Sequence, residues 1–422
     1  MSEVKMTKGS ETLASLVYTR NKDEDVTKAT SVGLPGEEKP AYTYDEDSRI
    51  TKGAGVTYKY DEANNPTTIG NYTLSYNAAD EPEKEMEKTT TKATYTYNEV
   101  GERTKTTPAT SAATTYEYNQ AGDLTGVSRP KEGSTPAIED TYTYNGDGLR
   151  IAKTASGVTT YFAWDLAESL PLVFSDGTNN YIYGPNGEPV EQVSSGGTVT
   201  FLHHDQQGSI RLLTNEKGEK VGSETYNAYG AVIEKTGTSA SSFGYDSQYT
   251  EADTGFIYLR ARYYDPATGQ FVVVDPTVSL TGQPYTYAED DPLTNQDPTG
   301  LCPSATAAAI RIGDFEECQK LQGEIVAARN ELARRAKEIE EDRHQLPATG
   351  KNSIAGHQQQ FRNKHLRWLL GQFNALGCNE VWGVEVPHDA WEWATKPTPS
   401  PKKKNGELCV FGHCFEPIVS AQ

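Results

Sequence analysis

Tyr95-Thr96-Tyr97-Asn98-Glu99-Val100-Gly101-Glu102-Arg103 is the stretch that decides the fold of this chain. Two tyrosines one residue apart point to the same face of a strand. The asparagine after them can bond its own backbone and start a turn, and Gly101 supplies the positive φ that tight turns use. The stretch reads as one strand ending, a turn, and the next strand beginning. The same wording recurs at Tyr42-Thr43-Tyr44-Asp45, Tyr58-Lys59-Tyr60-Asp61, Tyr116-Glu117-Tyr118-Asn119 and Tyr142-Thr143-Tyr144-Asn145, with Tyr76-Asn77 as a shorter version. The marks lie 16 to 26 residues apart, the period of a supersecondary unit repeated in an array. One hairpin cannot hide its apolar face alone, but stacked neighbours can. The expectation is a row of β-hairpins whose tyrosine pairs stack as a ladder.

Composition agrees with a thin β structure. The chain has 422 residues, of which 35% are hydrophobic, and 25 tyrosines against 11 phenylalanines. That is lean for a dense globule and suits an extended or hollow sheet. Tyrosine fits a sheet with one wet side, its ring covered and its hydroxyl in water. The net charge of −20 is uneven: the first 300 residues carry 24 basic and 44 acidic groups, and the rest carries 15 of each. An acidic β surface resists edge-to-edge sticking and repels nucleic acid. The bland account of that charge is solubility.

The first ten residues are polar and charged, so no signal peptide is visible. No apolar run approaches the roughly 20 residues of a membrane span. Residues 1–40 are polar with weak periodicity and read as a ragged lead-in or a degenerate repeat. Repeats occupy 41–200. Strands continue through Tyr161-Phe162-Ala163-Trp164, Leu172-Val173-Phe174 and Tyr181-Ile182-Tyr183, separated by turn signals at Asp176-Gly177 and Asn186-Gly187. At Cys302 the character changes. A helix is predicted over 305–345, with Ile325, Ala328, Leu332, Ala336 and Ile339 on one stripe, and a second over about 353–376. These give a helical domain over 302–396, then a Pro/Lys linker and a small cysteine-bearing hairpin over 397–422.

From Phe201 onward the chain resembles a known family. Leu202-His203-His204-Asp205-Gln206-Gln207-Gly208-Ser209-Ile210-Arg211 is similar to the H-x-D-x-x-G-S-x-R element of the RHS (rearrangement hotspot) repeat-associated core. Further runs follow in the family's order: Tyr226-Asn227-Ala228-Tyr229-Gly230, Gly255 through Pro266, Gly269-Gln270-Phe271, Asp275-Pro276, Tyr285 through Pro292, and Asp297-Pro298-Thr299-Gly300-Leu301. With the repeats before it, the resemblance covers 41–301, and 201–301 is the core element. Bacterial YD-repeat proteins and animal teneurins share this architecture. The resemblance implies a mainly β fold: an antiparallel YD-repeat sheet spiralling into a hollow shell. The core closes one end, and a variable C-terminal domain follows. Family shells draw on more repeats than this chain has, so an incomplete shell is expected.

The resemblance also implies chemistry. Some relatives cut themselves after the leucine of Asp-Pro-x-Gly-Leu using core aspartates, which here places the cut at Leu301–Cys302. Such a cut needs two carboxylates, one activating water and one donating to the amide. Asp275 is the first choice for one member, and Asp297 or Asp291 for the other, with Arg260 and Arg262 available to hold carboxylate charge. Against this, Asp-Pro steps are often simply turns. In the tail, Arg362, Lys364 and Arg367 form a basic stretch that suits a phosphate backbone, and His357 or His365 could serve as general base in nucleic-acid cleavage. The plain alternative is the basic face of a helical hairpin. Cys409 and Cys414 leave a disulfide, free thiols or a metal site open, with Cys318 and Cys378 elsewhere in the tail. No metal site and no cofactor is assigned. His203, His204, Trp391 and Trp393 read as packing residues.

The favoured expectation is a shell protein of a bacterial polymorphic-toxin or contact-dependent system that carries or displays a C-terminal effector. Its implied partners are secretion machinery or upstream repeats, a cognate immunity protein and a target cell. Nucleic acid enters only if the tail is a nuclease. Localisation is expected to be secreted or cell-surface by a non-classical route. The alternatives are a non-enzymatic adhesion module with an inert tail and a silent cassette. Toxicity of residues 302–422 on cytoplasmic expression separates them.

Overall fold

The computed structural model describes residues 2–301 except 168, 169, 186, 277 and 279–281, together with the backbone of short strands at 304–305, 402–404, 407–410 and 413–415. Two compact units divide the chain, Met1–Ala307 and Ala308–Gln422. In the first, a three-stranded sheet (Glu3–Lys8, Glu11–Arg20, Val26–Val32) is followed by a thirteen-stranded one running from Tyr42–Tyr44 to Val158–Tyr161. An eight-stranded sheet then runs from Ala163–Asp165 to Val232–Gly237. Each strand pairs with the next in sequence, always antiparallel, and none of these sheets closes on itself. The first two are linked where the Ala29 amide donates to the Pro40 carbonyl, and the last two meet at Phe162, whose amide donates to the Ile151 carbonyl. Tyr161 and Ala163, expected within one strand, therefore fall in different sheets. Within residues 1–40, Glu3–Lys8, Glu11–Arg20 and Val26–Val32 are also strands, with a turn at Asn21 like those of the repeats.

One local device makes the turns. At Asp45, Asp61, Asn77, Asn98, Asn119 and Asn145 the side-chain Oδ1 accepts the amides two and four residues on, at 2.8–3.2 Å. The residue three on has positive φ, for example Ser48, Asn64, Asp80 and Gly101. The ladder register slips by one at the preceding tyrosine, as at Thr96/Tyr97. This is a type I turn with a bulge, the common three-to-five-residue hairpin solution. The other end of the Asx side chain selects its partner four residues on. Asn77, Asn98 and Asn119 donate Nδ2 to Glu81, Glu102 and Asp123, and Asp45 accepts from Arg49.

The tyrosine hydroxyls are not in water. At five of the six marks the tyrosine before the Asx residue donates to a carbonyl of an earlier strand: Tyr44 to Val26, Tyr60 to Ile50, Tyr76 to Pro66, Tyr118 to Arg103 and Tyr144 to Leu124, at 2.7–3.0 Å, while the Tyr97 hydroxyl accepts from Arg103 Nε. Nor do the pairs stack on one another. Among the described residues no ring contact joins tyrosines of successive repeats. Equivalent tyrosines sit two strands apart, about 10 Å in an antiparallel sheet, which is beyond ring contact. Their rings meet the closing segment instead: Tyr58 packs on Tyr229, Tyr97 on Tyr285, Tyr116 on Phe256 and Tyr142 on Tyr263. The wall's inner face is thus covered by residues 228–230 and the described residues of 243–300, which hold a four-stranded sheet (Tyr249–Thr250, Ile257–Leu259, Arg262–Asp265, Gln270–Phe271) and irregular loops.

Two arginines pin wall to core. Arg103 and Arg150 each stand five residues after an Asx turn, an inward position that Ile50, Leu124 and Ile210 fill elsewhere, and each is 0% exposed. Arg103 donates to Asp265 at 2.5 Å and to the Tyr97 hydroxyl at 2.9 Å. Arg150 pairs with buried Glu251 and donates to the Tyr263 hydroxyl at 2.9 Å, while Lys153 reaches Glu251 at 2.9 Å.

In the second unit the strands Lys402–Lys404, Glu407–Val410 and His413–Phe415 form a three-stranded sheet with Cys409 opposite Cys414. Lys402–Lys404, expected in the linker, is its first strand, because Lys403 pairs with Leu408. The helices expected over 305–345 and 353–376 lie outside the described residues.

Candidate active site

A tight hairpin builds the site. Strands Ile257–Leu259 and Arg262–Asp265 pair with Leu259 opposite Arg262, so Arg260 and Ala261 form the turn, and Arg260 takes φ +60. Positive φ in a residue with a side chain is uncommon and is maintained only by strong surrounding contacts. Here the contacts are to the segment Asp297–Leu301. Arg260 Nη1 donates to the Pro298 carbonyl at 2.5 Å, the Ala261 amide to the Thr299 carbonyl at 3.1 Å, and Arg262 Nε to the Gly300 carbonyl. Gly300 has φ +72, and a Cβ there would sit 2.5 Å from the Leu259 carbonyl oxygen.

Arg262 gathers the carboxylates. Its Nη2 lies 3.4 Å from Asp275 Oδ2 and 3.3 Å from Asp297 Oδ2, and its guanidinium lies over the Phe271 ring at 3.5 Å. Asp275 is 3% exposed and Asp297 1%. The backbone holds both: the Asp275 amide donates to the Pro284 carbonyl at 2.8 Å, and the Gly300 amide to the Asp297 carbonyl at 3.3 Å. Asp297 Oδ1 in turn accepts the Leu301 amide at 3.1 Å. Asp275, Asp297 and the Gly300 carbonyl therefore converge on one arginine, and Asp297 also holds the residue before the expected cut. Cys302 lies outside the described residues.

Asp291 is elsewhere. It sits beside Asp25 and Tyr44, and burial, with Asp25 adding to it, pushes its carboxyl up to about 6. Among the described residues Arg260 forms no ion pair with a carboxylate either. Its donors go to the carbonyls of Pro171 and Pro298 and to Gln248 Oε1, and burial pushes its guanidinium down to about 10. It stays charged at neutral pH. His203 bonds Thr214 at 2.8 Å inside a sheet, and burial holds His204 down at about 4. Both are neutral at pH 7. His357, His365, Arg362, Lys364 and Arg367 lie outside the described residues. Among the described residues no cluster of three potential metal ligands forms, and no helix is long and apolar enough to cross a membrane.

The sequence reading missed Asp290. It is buried in a turn where Ala288, Glu289 and Asp290 all have positive φ, and it accepts the Tyr229 hydroxyl at 2.9 Å. Tyr229 in turn shares a hydrogen bond of 2.8 Å with Tyr60 of the wall. Burial pushes Asp290 up to about 8, so it is protonated at neutral pH. The available signal was its place inside the Tyr285–Pro292 run, beside an Asp-Pro step.

An open meander of Tyr-x-Tyr-Asx hairpins, covered on its inner face by its own C-terminal segment, is an incomplete YD-repeat shell with an RHS-type core. The family model described as Teneurin YD-shell matches residues 1–293, and the chain belongs to that family. Among curated proteins it is similar to the tRNA3(Ser)-specific nuclease WapA of Bacillus spizizenii, 31% identical over 193 residues, which are 42% of this chain and 8% of that protein. It is also similar to the toxin protein Tse5 of Pseudomonas aeruginosa, 32% identical over 105 residues, 24% of this chain and 8% of that protein. A solved Photorhabdus luminescens Tc holotoxin pore has the same fold, with a TM-score of 0.52 at 16% identity, covering 71% of this chain and 17% of that one. The chain thus spans a small part of the length of each.

Proposed function

We propose that this chain is the closing part of a bacterial toxin shell, that it carries the residues beyond Leu301 as a C-terminal effector, and that it cuts itself at Leu301–Cys302. The observation that carries the reading is the convergence of Asp275 and Asp297 on Arg262, with Asp297 also holding the Leu301 amide. One carboxylate takes a proton from water as the oxygen adds to the Leu301 carbonyl carbon. The other, carrying a proton, delivers it to the Cys302 nitrogen as the C–N bond breaks. The products are a Leu301 carboxylate and a Cys302 amine. Arg262 fixes both acids and, through the Gly300 carbonyl, the peptide ahead of the bond. Kinship with toxins, a tRNA nuclease among them, supports an effector role for the tail, a toxin-system setting and action in a target cell. Secretion machinery and an immunity protein are the partners that setting calls for.

The test is a denaturing gel of the expressed chain with mass spectrometry of the products. Fragments 1–301 and 302–422 are expected from wild type and neither from Asp275→Asn or Asp297→Asn. Full-length wild type, or unchanged cutting in both variants, removes the self-cleavage. Expression of 302–422 alone tests the effector, and harmless accumulation argues for the inert-tail adhesion module.

A further inference from the structure

We infer that Arg260 is a positioning residue for the cut, and that residues 260–262 form a groove that grips the chain's own peptide as a protease grips a substrate. The inference rests on the self-cleavage reading and extends it from the acids to the recognition of the peptide. Three consecutive residues of one turn hold three consecutive carbonyls: Arg260 the Pro298 carbonyl, Ala261 that of Thr299, and Arg262 that of Gly300. With the Leu301 amide on Asp297, every residue from the fourth to the first before the bond has a backbone group tied down. Such matched contacts fix the register of a peptide, and fixed register places the reacting carbon against the acids.

The contacts of Arg260 suit it to this task. Among the described residues its hydrogen bonds go to carbonyl and amide oxygens, and no ion pair joins it to a carboxylate. Nε and Nη2 donate to the Pro171 carbonyl at 2.9 and 2.8 Å, and Nη1 also reaches Gln248 Oε1 at 2.9 Å. Pro171 lies in the loop between strands Ala163–Asp165 and Leu172–Ser175 of the eight-stranded sheet. The guanidinium is thus clamped from the wall side and presents its remaining reach to Pro298. A fork of fixed donors suits this better than a lysine's single point charge. Gly300 completes the fit from the peptide side. Its close approach to the Leu259 carbonyl excludes any side chain, so the groove selects glycine at the second position before the cut.

The experiment follows cleavage of the full chain over time in a cell-free translation system, reading precursor and products on denaturing gels. Trypsin resistance of the shell is read in parallel. Asp275→Asn serves as the uncleaved control. Arg260→Ala is expected to slow cutting about 100-fold, the scale of a misplacement of an ångström, while the shell stays protease-resistant. Added guanidinium ion is expected to restore much of the rate, and Arg260→Lys to fall between. Gly300→Ala is expected to slow cutting comparably, by displacing the peptide and leaving Arg260 intact. Wild-type rates in both Arg260→Ala and Gly300→Ala overturn the inference. So does slow cutting that guanidinium leaves unchanged or that accompanies loss of the resistant shell, since that marks Arg260 as structural. An uncut wild type, or cutting that survives Asp275→Asn and Asp297→Asn, overturns the self-cleavage reading itself and the groove with it.

Discussion

Arg103→Met tests whether the wall is held to its core by charge as well as by tyrosines. The guanidinium is wholly buried. It makes an ion pair of 2.5 Å with Asp265, hydrogen bonds to the Tyr97 and Thr268 hydroxyls, and a contact of 4.6 Å over the Tyr95 ring. Removing one member of a buried pair costs about 3–5 kcal/mol, because the other charge is left without compensation. Arg103 belongs at the low end of that range. Asp265 Oδ1 still accepts the Ala267 amide at 3.0 Å, and the aspartate side chain keeps 11% exposure. The expected loss is about 3 kcal/mol. Arg103→Met with Asp265→Asn leaves no orphan charge and is expected to lie about 2 kcal/mol above the single variant. Pulse proteolysis of the shell across a urea series reads both. A loss below about 1 kcal/mol in the single variant, or a double variant whose losses simply add, refutes the pinning argument.

Asp290 makes stability depend on pH. Its carboxyl is held at about 8 by burial, against an ordinary 3.8, so between those values the folded chain keeps a proton that the unfolded chain has lost. The stability from this group is full below about pH 4, declines by about 1.4 kcal/mol per pH unit through the window, and is gone above about 8. Urea midpoints at pH 5 and pH 8 are expected to converge in Asp290→Asn, and an unchanged pH slope in that variant refutes the assignment. Tyr118→Phe is expected to cost about 1 kcal/mol by removing the bond to the Arg103 carbonyl. Tyr161→Phe, at a ring 70% exposed, is expected to leave the urea midpoint unchanged, and equal losses at the two sites refute the inward role of the repeat tyrosines.

The hairpins were legible because their cause is local. An Asx residue, two amides and one positive φ fix each turn within five residues, and alternation fixes which tyrosines share a face. The destination of the hydroxyls was not legible. Tyr118 donates to the Arg103 carbonyl fifteen residues back, and which carbonyl receives it depends on sheet twist and register across two strands. Arg103 and Arg150 were hidden for a related reason. Read locally they are polar residues after a turn, and only Asp265 and Glu251, more than 100 positions on, explain a guanidinium in an apolar slot. In the site, Asp275 was the first choice in sequence, but Asp297 and Asp291 could not be told apart. What separates Asp297 from Asp291 is the reach of Arg262, a tertiary fact. The different uses of Arg260 and Arg262 follow from a turn that sends neighbouring side chains to a carbonyl row and to a carboxylate pair.

The same contacts decide which parts of the chain can fold without which others. Strand pairing in the wall is entirely between sequence neighbours, so each hairpin forms with little loop-closure cost. The inner face is different. Tyr60 needs Tyr229, Arg103 needs Asp265, and Arg150 needs Glu251. A wall without these core segments would bury two guanidiniums without partners or expose a long aromatic face. The core hairpin depends on the wall in the same way, since Arg260 takes its anchor from Pro171 and Tyr258 accepts the Arg150 amide. Wall and core are therefore one folding unit despite a sequence that reads as repeats followed by a separate element. The carboxylate pair on Arg262 sits in the core hairpin that takes these anchors from the wall. In the self-cleavage reading this dependence has a consequence: the bond at Leu301 is expected to be presented to its acids only when the shell in front of it is folded.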